Sequence, residues 1–382
     1  MNNYSIKVVD NIDGFKELKD IWNSLTEKNH TYSPWLSWEW FDLCNKYFLS
    51  GNNLYIVLLY QYNDIVAIAP FIIKNEIFKG LLKARKLELL GCTHSPVKMF
   101  LCNESDSEEK TEYIVQILKH FHTAYKAWDV IDFYRLPEEK AIFYMFEDAI
   151  AQIGLRARSY FSDANWFLDE INYLSTQYFD DLPKGLQKEI QYCQRRLEKM
   201  GKLRFEIKLG DDDSLEYYLD LYDKVRAKSW KAPEKDRNFI REFTISTAHK
   251  GWIRLCFLIY NDIPIAAQKW LVSNSKAYIW DVVYDEEYKK FSPGSILSLG
   301  ICKHVIDEDK VVEIDYMTGD ESYKKSWTPK RREMKGITVF NKTLKGQTIG
   351  FLMTKAMPVV KRQRYLITAK NKVLKYVSKG HQ

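Results

Sequence analysis

The sequence predicts an α/β protein made of two related units. The stretch Ala277–Trp327 alternates between strand and helix periodicity, in the order strand, loop, helix, strand, loop, short helix. Because a helix that connects two strands of one sheet makes a crossover, its strands Ala277–Tyr284 and Val311–Tyr316 are expected to be parallel. The second observation is an internal similarity: five of eight residues are shared between Tyr62–Ala69 and Tyr260–Ala267, each placed between two strand-like runs.

The first part of the chain fits one such unit. A helix is predicted near the start by an apolar stripe of Phe15, Leu18, Ile21, Trp22 and Leu25. The run Thr31–Trp40 places three tryptophans around Pro34, which is more typical of a core corner between helices than of a platform for stacking bases. Alternating residues then predict a hairpin of two strands, Leu54–Tyr60 and Ile65–Ile73.

The second part repeats this order. A long charged helix within Tyr173–Met200 is predicted from a stripe that contains Leu186, Ile190 and Leu197, and Gly201 ends it. The elements predicted next are a strand, a helix and an antiparallel meander of three strands: Leu203–Lys208, Asp213–Ser229, Trp252–Tyr260, Ile263–Val272 and Ala277–Tyr284.

Composition limits the class of protein. A chain of 382 residues with 46% apolar and 15% aromatic residues is large enough for two domains with real cores, which excludes a disordered chain. No signal-peptide pattern and no membrane-length apolar run occurs, so a cytoplasmic protein is predicted. The six cysteines lack the spacing of metal ligands, so we expect them to be reduced and mostly buried, with neither disulfides nor a metal site.

Charge is distributed unevenly. Residues 322–382 contain twelve lysines and four arginines against one acid, Glu333, a net charge of +15, whereas the rest of the chain carries −9. This asymmetry indicates an anionic partner for the C-terminal part, such as a phosphorylated cofactor, a nucleotide-linked sugar, lipid headgroups or nucleic acid. A solvated basic tail that only aids solubility is the alternative.

Three polar groups are candidate site residues on their own chemistry. Asp281 is a carboxylate on an apolar strand, where burial is expected to raise its pKa towards the range of a general base. The Ser292-Pro293-Gly294-Ser295 run fits a helix start, with Ser292 as N-cap and free N–H groups at Gly294 and Ser295 that suit a phosphate. His94 follows an apolar run and is either a surface residue or a substrate contact that reaches across a cleft between domains.

Two runs, YDEEYKKFSPGSIL and EIDYMTGDESYKKSW, resemble motifs of the GNAT acyltransferases associated with cellulose and exopolysaccharide gene clusters (the CelD-like, double-GNAT family). The resemblance implies two tandem GNAT-like domains, each with a mixed, mostly antiparallel sheet flanked by helices. The expected boundaries are a degenerate domain at 1–165, the acyltransferase domain at 166–350 and a basic helical segment at 351–382.

The resemblance also implies an activity, the transfer of an acyl group from acetyl-CoA or another acyl-CoA to an amine. Orientation of two substrates, an oxyanion donor and a proton for the leaving thiolate suffice for this reaction, without a metal. The expected acceptor is an amino sugar, free or nucleotide-linked, used in surface polysaccharide synthesis.

Each candidate residue then receives an expected role. Asp281 is the expected base, with Asp285 and Asp320 as rivals, and Tyr323 is the general acid by resemblance. The N–H groups near Val282 and Val283 are expected to bind the thioester oxygen, and Trp230 to stack on a sugar. The diphosphate of the donor is expected at Ser292, Gly294 and Ser295, with Lys324 as a further phosphate partner.

Two other functions stay open. Fem-type enzymes use the same double domain with aminoacyl-tRNA, although nucleic acid is not the expected partner here. A non-catalytic scaffold of a polysaccharide assembly complex is the third possibility, held at a membrane surface by the basic segment Lys355–Lys379. The chain does not reveal its acceptor, acyl length or oligomeric state.

Overall fold

The computed structural model describes residues 4–27, 33–49, 54–78, 82–103, 105–138 and 141–356. They form a thirteen-stranded mixed sheet flanked by helices, which confirms the predicted α/β class. The strands are β1 (Tyr4–Val9), β2 (Leu54–Gln61), β3 (Asp64–Phe78), β4 (Leu82–Leu89), β5 (Leu101–Cys102), β6 (Val130–Pro137), β7 (Arg156–Leu168), β8 (Leu203–Leu209), β9 (Ile253–Tyr260), β10 (Ile263–Ser273), β11 (Lys276–Tyr284), β12 (Glu313–Thr318) and β13 (Lys330–Phe340). The helices are α1 (Ile12–Glu17), α2 (Lys19–Glu27), α3 (Trp38–Cys44), α4 (Ser107–Thr123), α5 (Ile142–Gln152), α6 (Ser175–Asp181), α7 (Lys184–Met200), α8 (Leu215–Ala227), α9 (Arg237–His249), α10 (Pro293–Asp307) and α11 (Leu344–Phe351).

The sheet consists of two units with the same topology. Its order is β1-β2-β3-β4-β6-β13-β7-β12-β11-β10-β9-β8, and β5 pairs with β3. Read inward from either edge, three antiparallel pairs are followed by one parallel pair and one antiparallel pair. The tandem arrangement predicted from the internal similarity is therefore present in the sheet.

The units exchange their last strands. β7 ends the first unit in chain order, yet it pairs with β12 of the second unit. β13 follows the second unit, yet it pairs with β6 of the first. The two exchanged strands pair with each other along their length and join the halves into one sheet. The boundary predicted at residue 165 lies inside β7, and of the predicted basic segment 351–382 only residues up to 356 are described.

Three large hydrophobic clusters cover the two faces of the sheet. One face of the sheet has a core shared by both units, in which Trp40 of α3 packs against Phe239 and Phe243 of α9. On the other face, α4 and α5 cover the first unit, while α6, α7 and α10 cover the second. Trp35 and Trp40 are fully buried, which fits the predicted core corner. The cysteines are free thiols, and five of the six are buried, as predicted.

A buried cluster of charges ties four strands together near the middle of the sheet. Arg332 of β13 donates to Glu313 (3.0 Å) and Asp315 (2.8 Å) of β12. Asn165 of β7 donates to Asp315 at 2.6 Å, and the ammonium of Lys276, the first residue of β11, lies 2.6 Å from Glu313. Burial alone would raise the pKa of Glu313, but Arg332 and Lys276 hold it below its ordinary value.

We expect the Arg332→Met variant to lose about 3–5 kcal/mol in the free energy of unfolding, because two buried carboxylates lose their shared partner. Chemical denaturation of purified protein measures the change. Arg331→Met is the matched control, since Arg331 pairs with Asp320, whose side chain is 55% exposed, and should change stability by less than about 1 kcal/mol. Equal losses in the two variants would contradict the role of the cluster.

Candidate functional site

A large cleft opens where β11 and β12 separate. The two strands are parallel neighbours only from Lys276 to Tyr278, opposite Glu313 to Asp315. Beyond Tyr278 they diverge, and the gap widens into a cleft of about 790 Å³. The cleft contains most of the predicted site residues, namely Trp230, Asp281, Val282, Ser292, Gly294, Ser295, Tyr323 and Lys324.

A bulge in β11 changes which side chains share a face. Lys269 pairs with Asp281 and Trp270 with Ile279, so Trp280 is the extra residue. The side chains of this strand therefore do not alternate strictly between the two faces beyond Ile279. Trp280 and Asp281 both face the α8 side, whereas Val282 faces the α10 side.

Asp281 is surrounded by hydrogen-bond donors. Its carboxylate accepts from the Tyr222 hydroxyl at 2.5 Å and from Arg226 at 3.0 Å, both on α8, and it forms an ion pair with Lys231. Burial alone would raise the pKa of Asp281, but Lys231 and Tyr222 hold it below its ordinary value. The expected rise of this pKa is wrong, because neighbouring charges outweigh desolvation.

The backbone of β11 presents its N–H groups alternately to β10 and to the cleft. The Asp285 N–H donates to the Ile265 carbonyl at 2.9 Å, so Val283 also faces β10 and Val282 faces the cleft. The Val282 N–H donates to Asp281 Oδ1 at 3.1 Å. Val282 thus lies where an oxyanion donor was predicted, whereas Val283 is fully buried in the core and outside the cleft.

Helix α10 begins at the cleft. Ser292 is its N-cap and Pro293 its first residue, as predicted, but Ser292 adopts a left-handed φ of 46° and its side chain does not cap the helix. Its hydroxyl instead donates to Glu189 Oε1 of α7 at 2.5 Å. The Ser295 N–H donates to the Ser292 carbonyl at 3.0 Å, so the prediction of a free N–H at Ser295 is wrong.

Gly294 forms part of the cleft wall. A Cβ at this position would lie 3.2 Å from a ring carbon of Tyr284 and 3.9 Å from Val282. The Gly294 carbonyl accepts a hydrogen bond from the buried Gln268 at 3.0 Å, which fixes the helix start against β10. The absence of a side chain therefore keeps space open between the helix start and β11.

Tyr323 lies in a short 3-10 helix on the opposite side of the cleft, with its side chain about half exposed. Burial of the hydroxyl raises its pKa to about 12, and the negative charges of Glu321 and Asp281 act in the same direction. Tyr323 therefore holds its proton at neutral pH.

Lys324 is turned into the protein. Its ammonium donates to the carbonyls of Thr318 (2.9 Å), Met317 and Gly319, and it pairs with Glu321 at 2.9 Å. The prediction of a phosphate partner at Lys324 is wrong, because carbonyl groups at the end of β12 and in the loop after it, together with Glu321, already bind its ammonium group.

The two rival carboxylates lie outside the cleft lining. Asp285 is buried, accepts from the Glu287 N–H at 3.0 Å and pairs with Lys228 at 3.1 Å. Asp320 accepts from the Trp166 indole at 2.9 Å and pairs with Arg331. Both carboxylates stabilise local structure, so the structure does not place either one as a base.

The two predicted substrate contacts separate. Trp230 lines the cleft, half exposed, with its ring 4.4 Å from that of Tyr284. His94 lies elsewhere: its Nε2 is 2.8 Å from Asp236 Oδ2, and its ring packs on Phe239. His94 does cross from one unit to the other, as hypothesised, but it contacts the start of α9 and not the cleft.

A family comparison covers the cleft. Residues 184–325 match the family described as an acetyltransferase (GNAT) domain. This part of the chain is similar to a GNAT-type acetyltransferase domain. It includes α7, to which Glu189 belongs, and both strands that form the cleft.

The fold of the whole chain is similar to solved structures at low identity. FemX has a TM-score of 0.57 and 11% identity, with 87% of this chain and 98% of that chain covered. A conserved protein of unknown function from Bacteroides thetaiotaomicron VPI-5482 has a TM-score of 0.54 and 11% identity, with 88% of this chain and 100% of that chain covered. The C-terminal domain (DUF2156) of a putative lysylphosphatidylglycerol synthetase from Agrobacterium fabrum has a TM-score of 0.54 and 12% identity, with 90% of this chain and 96% of that chain covered. No curated protein matches the sequence.

The first unit differs from the second at the corresponding gap. β4 and β6 are parallel neighbours only at Lys86–Glu88, opposite Val130–Asp132. Further along, Lys98 bridges the two strands: its N–H donates to the Arg135 carbonyl at 3.4 Å and its ammonium to the Leu89 carbonyl at 3.3 Å. A chain segment thus crosses the space that is open between β11 and β12.

Sequence reasoning missed the partners of Asp281. Tyr222 and Arg226 are one turn apart on α8, a spacing that places both on one helix face. That signal was available, but nothing in the sequence assigns this face to β11.

Among the described residues no helix has the length and apolar character needed to cross a membrane.

We expect the Asp281→Asn variant to lose about 2–4 kcal/mol of stability at pH 7, because Arg226 and Lys231 lose a shared counter-charge. The folded-state pKa of Asp281 is lowered, so its contribution is present above the ordinary value and disappears as the pH falls below about 4. Thermal unfolding between pH 3 and pH 8 measures this. Asp320→Asn is the control. If the difference in Tm between the wild type and Asp281→Asn did not change with pH, the assignment would be contradicted.

Proposed function

We propose that the protein transfers an acyl group from an acyl-CoA, with acetyl-CoA as the first candidate, to the amine of an amino sugar. The observation that carries this proposal is the cleft between the diverging strands β11 and β12. Its lining comes from both faces of the sheet, with Ser292 and Gly294 on one side and Asp281 on the other. Two substrates can therefore approach each other through the gap from opposite sides.

The donor side fits coenzyme A. Gly294 leaves open a space that a side chain would narrow, beside the start of the fifteen-residue helix α10. Lys289 lines the same end of the cleft with a side chain that is 66% exposed, and a helix start with a nearby cation suits a diphosphate. Coenzyme A, when bound, supplies the activated thioester.

The chain's own residues supply orientation, an oxyanion donor and a proton. The Val282 N–H faces the cleft and donates to Asp281 Oδ1 at 3.1 Å, so it would have to exchange this acceptor for the thioester oxygen before it could stabilise charge that develops there. Tyr323 Oη retains its proton and is the proposed general acid. Asp281 orients Lys231 and the Val282 N–H, with which it interacts directly.

The acceptor side favours a weakly basic amine. The pKa values of Asp281 and Glu321 are both lowered by neighbouring cations against the effect of burial, so neither carboxylate is tuned to remove a proton near neutral pH. The electron-withdrawing hydroxyl groups of a sugar lower the basicity of its amine, which is then partly neutral without a protein base. Trp230 offers an aromatic face of the kind that packs on a sugar ring.

The second candidate is a Fem-type transfer from aminoacyl-tRNA, which is favoured by the fold similarity to FemX over 98% of that chain. The deciding experiment measures thiol release from acyl-CoAs with a panel of amino sugars, next to transfer of labelled amino acid from charged tRNA. Thiol release that depends on an amino sugar supports the proposal. Transfer from charged tRNA without any thiol release from acyl-CoA supports the Fem-type reaction. If neither donor gives activity, both reactions are overturned and the non-catalytic scaffold is the remaining function.

We expect Tyr323→Phe to lower kcat about a hundredfold with little change in KM, because the general acid is removed. Tyr217→Phe, at an exposed tyrosine of α8, is the control. The wild-type rate should rise with pH as the acceptor amine loses its proton. It should show no decrease at any pH up to about 10, because Tyr323, with a pKa of about 12, keeps its proton over this range. An unchanged kcat in Tyr323→Phe would remove Tyr323 from the mechanism.

We expect Gly294→Val to raise KM for the acyl-CoA about tenfold or more, because its side chain would enter the space beside Tyr284. Initial rates at varied donor concentration measure this. Gly185→Val is the control, since Gly185 lies on helix α7 with nothing within 4 Å of an added Cβ. A donor KM that rises equally in both variants would argue against a donor site at Gly294.

A further inference from the structure

A second pocket, of about 760 Å³, lies between α8 and α9 and shares Lys231 with the cleft. No part of the proposed reaction uses it. Three carboxylates line it, Asp220, Asp223 and Glu234, against six cationic side chains, and we name it the basic pocket after the cations: Lys224, Arg226, Lys231, Arg237, Arg241 and Lys269.

Four of these cations are already paired with carboxylates. Arg226 lies 3.2 Å from Glu234, and Arg241 lies 3.0 Å from Asp220. Arg237 pairs with Asp223 at 2.6 Å, and Lys231 pairs with Asp281. Lys224 and Lys269 have no carboxylate within ion-pair distance in the described part of the chain.

Lys269 is the unusual member of the set. Its side chain rises from β10 and is only 5% exposed. Its ammonium lies 4.1 Å from the ring centre of Tyr222 and 5.5 Å from that of Trp280, and among the described residues it donates to no carboxylate or carbonyl oxygen. Ring faces attract a cation but leave its N–H donors without acceptors.

A buried ammonium without an acceptor is costly to the folded protein. Burial accordingly lowers the pKa of Lys269 to about 8, although Asp281, Asp223 and Glu234 act in the opposite direction. An anion that enters the pocket would give this ammonium a partner and would offset the cost.

We propose that the basic pocket binds an oxyanion of the phosphate type, with Lys269 at its base and Lys224 at its rim. A second observation supports this proposal: the Nε of Arg226, which belongs to the pocket lining, is buried without a hydrogen-bond partner among the described residues. A phosphate group offers several acceptor oxygens to donors that arrive from different elements.

The position of the pocket suggests the origin of the phosphate. Arg226 and Lys231 line the pocket and also bind Asp281 of the cleft, so an acceptor could occupy both sites at once. This step rests on the proposed function: the acceptor would then be a phosphorylated or nucleotide-linked amino sugar. Binding of the anion itself does not depend on catalysis.

Titration calorimetry of the full chain with inorganic pyrophosphate tests the site. We expect saturable binding that Lys269→Met weakens about 10- to 100-fold, as for loss of a hydrogen bond to a charged group. Lys224→Met, at the exposed rim, should weaken binding several-fold and decides the matter if Lys269→Met does not fold. Lys289→Met is the matched control, because it reports on pyrophosphate at the donor end of the cleft.

Loss of affinity in Lys269→Met supports the site, whether or not Lys289→Met also weakens binding. Unchanged affinity in Lys269→Met, or a loss confined to Lys289→Met, overturns it. Kinetics with an amino sugar and its phosphate ester then test the acceptor. The preference for the ester should fall about tenfold in Lys269→Met, whereas no turnover with any acceptor would reject the proposed function and leave the titration result standing.

Discussion

The cleft depends on a cluster of buried charges at the point where two strands part. Lys276 and Glu313 join β11 to β12 at their paired ends, and Arg332 with Asn165 ties β12 to the exchanged strands. These contacts fix the narrow end of the gap, so the strands can diverge beyond it without the sheet coming apart. Such a cluster holds only as a whole, since each carboxylate left alone in the interior would be costly.

The sequence predicted the class of fold because periodicity is a local property. The hairpin of the first unit, the meander and crossover helix of the second, and the N-cap position of Ser292 all follow from residues close together in the chain. The strand exchange could not be predicted in this way, because β7 and β13 were not among the predicted strands and their pairing joins distant parts of the chain. The bulge at Trp280 was missed for a related reason, since it is defined by the partner strand β10.

Roles of charged side chains were harder to predict than their positions. Asp281, Lys324 and Tyr323 all belong to the lining of the cleft. Asp281 nevertheless has a lowered pKa, because the charges around it come from α8 and the loop after it, more than 45 residues earlier in the chain. Lys324 was assigned to a ligand, but the carbonyls of its own loop were closer. A pattern places such a residue, and its three-dimensional partners decide its chemistry.

Strand exchange also explains why a unit without an open gap would be kept. In the first unit Lys98 bridges β4 and β6, whereas in the second the corresponding strands enclose the cleft. The first unit still supplies β7, the neighbour that β12 needs on the side away from the cleft. Without β7 and β13, β12 would be an edge strand and Asp315 would lose both Asn165 and Arg332. The second unit therefore relies on the first for the rigidity of its cleft.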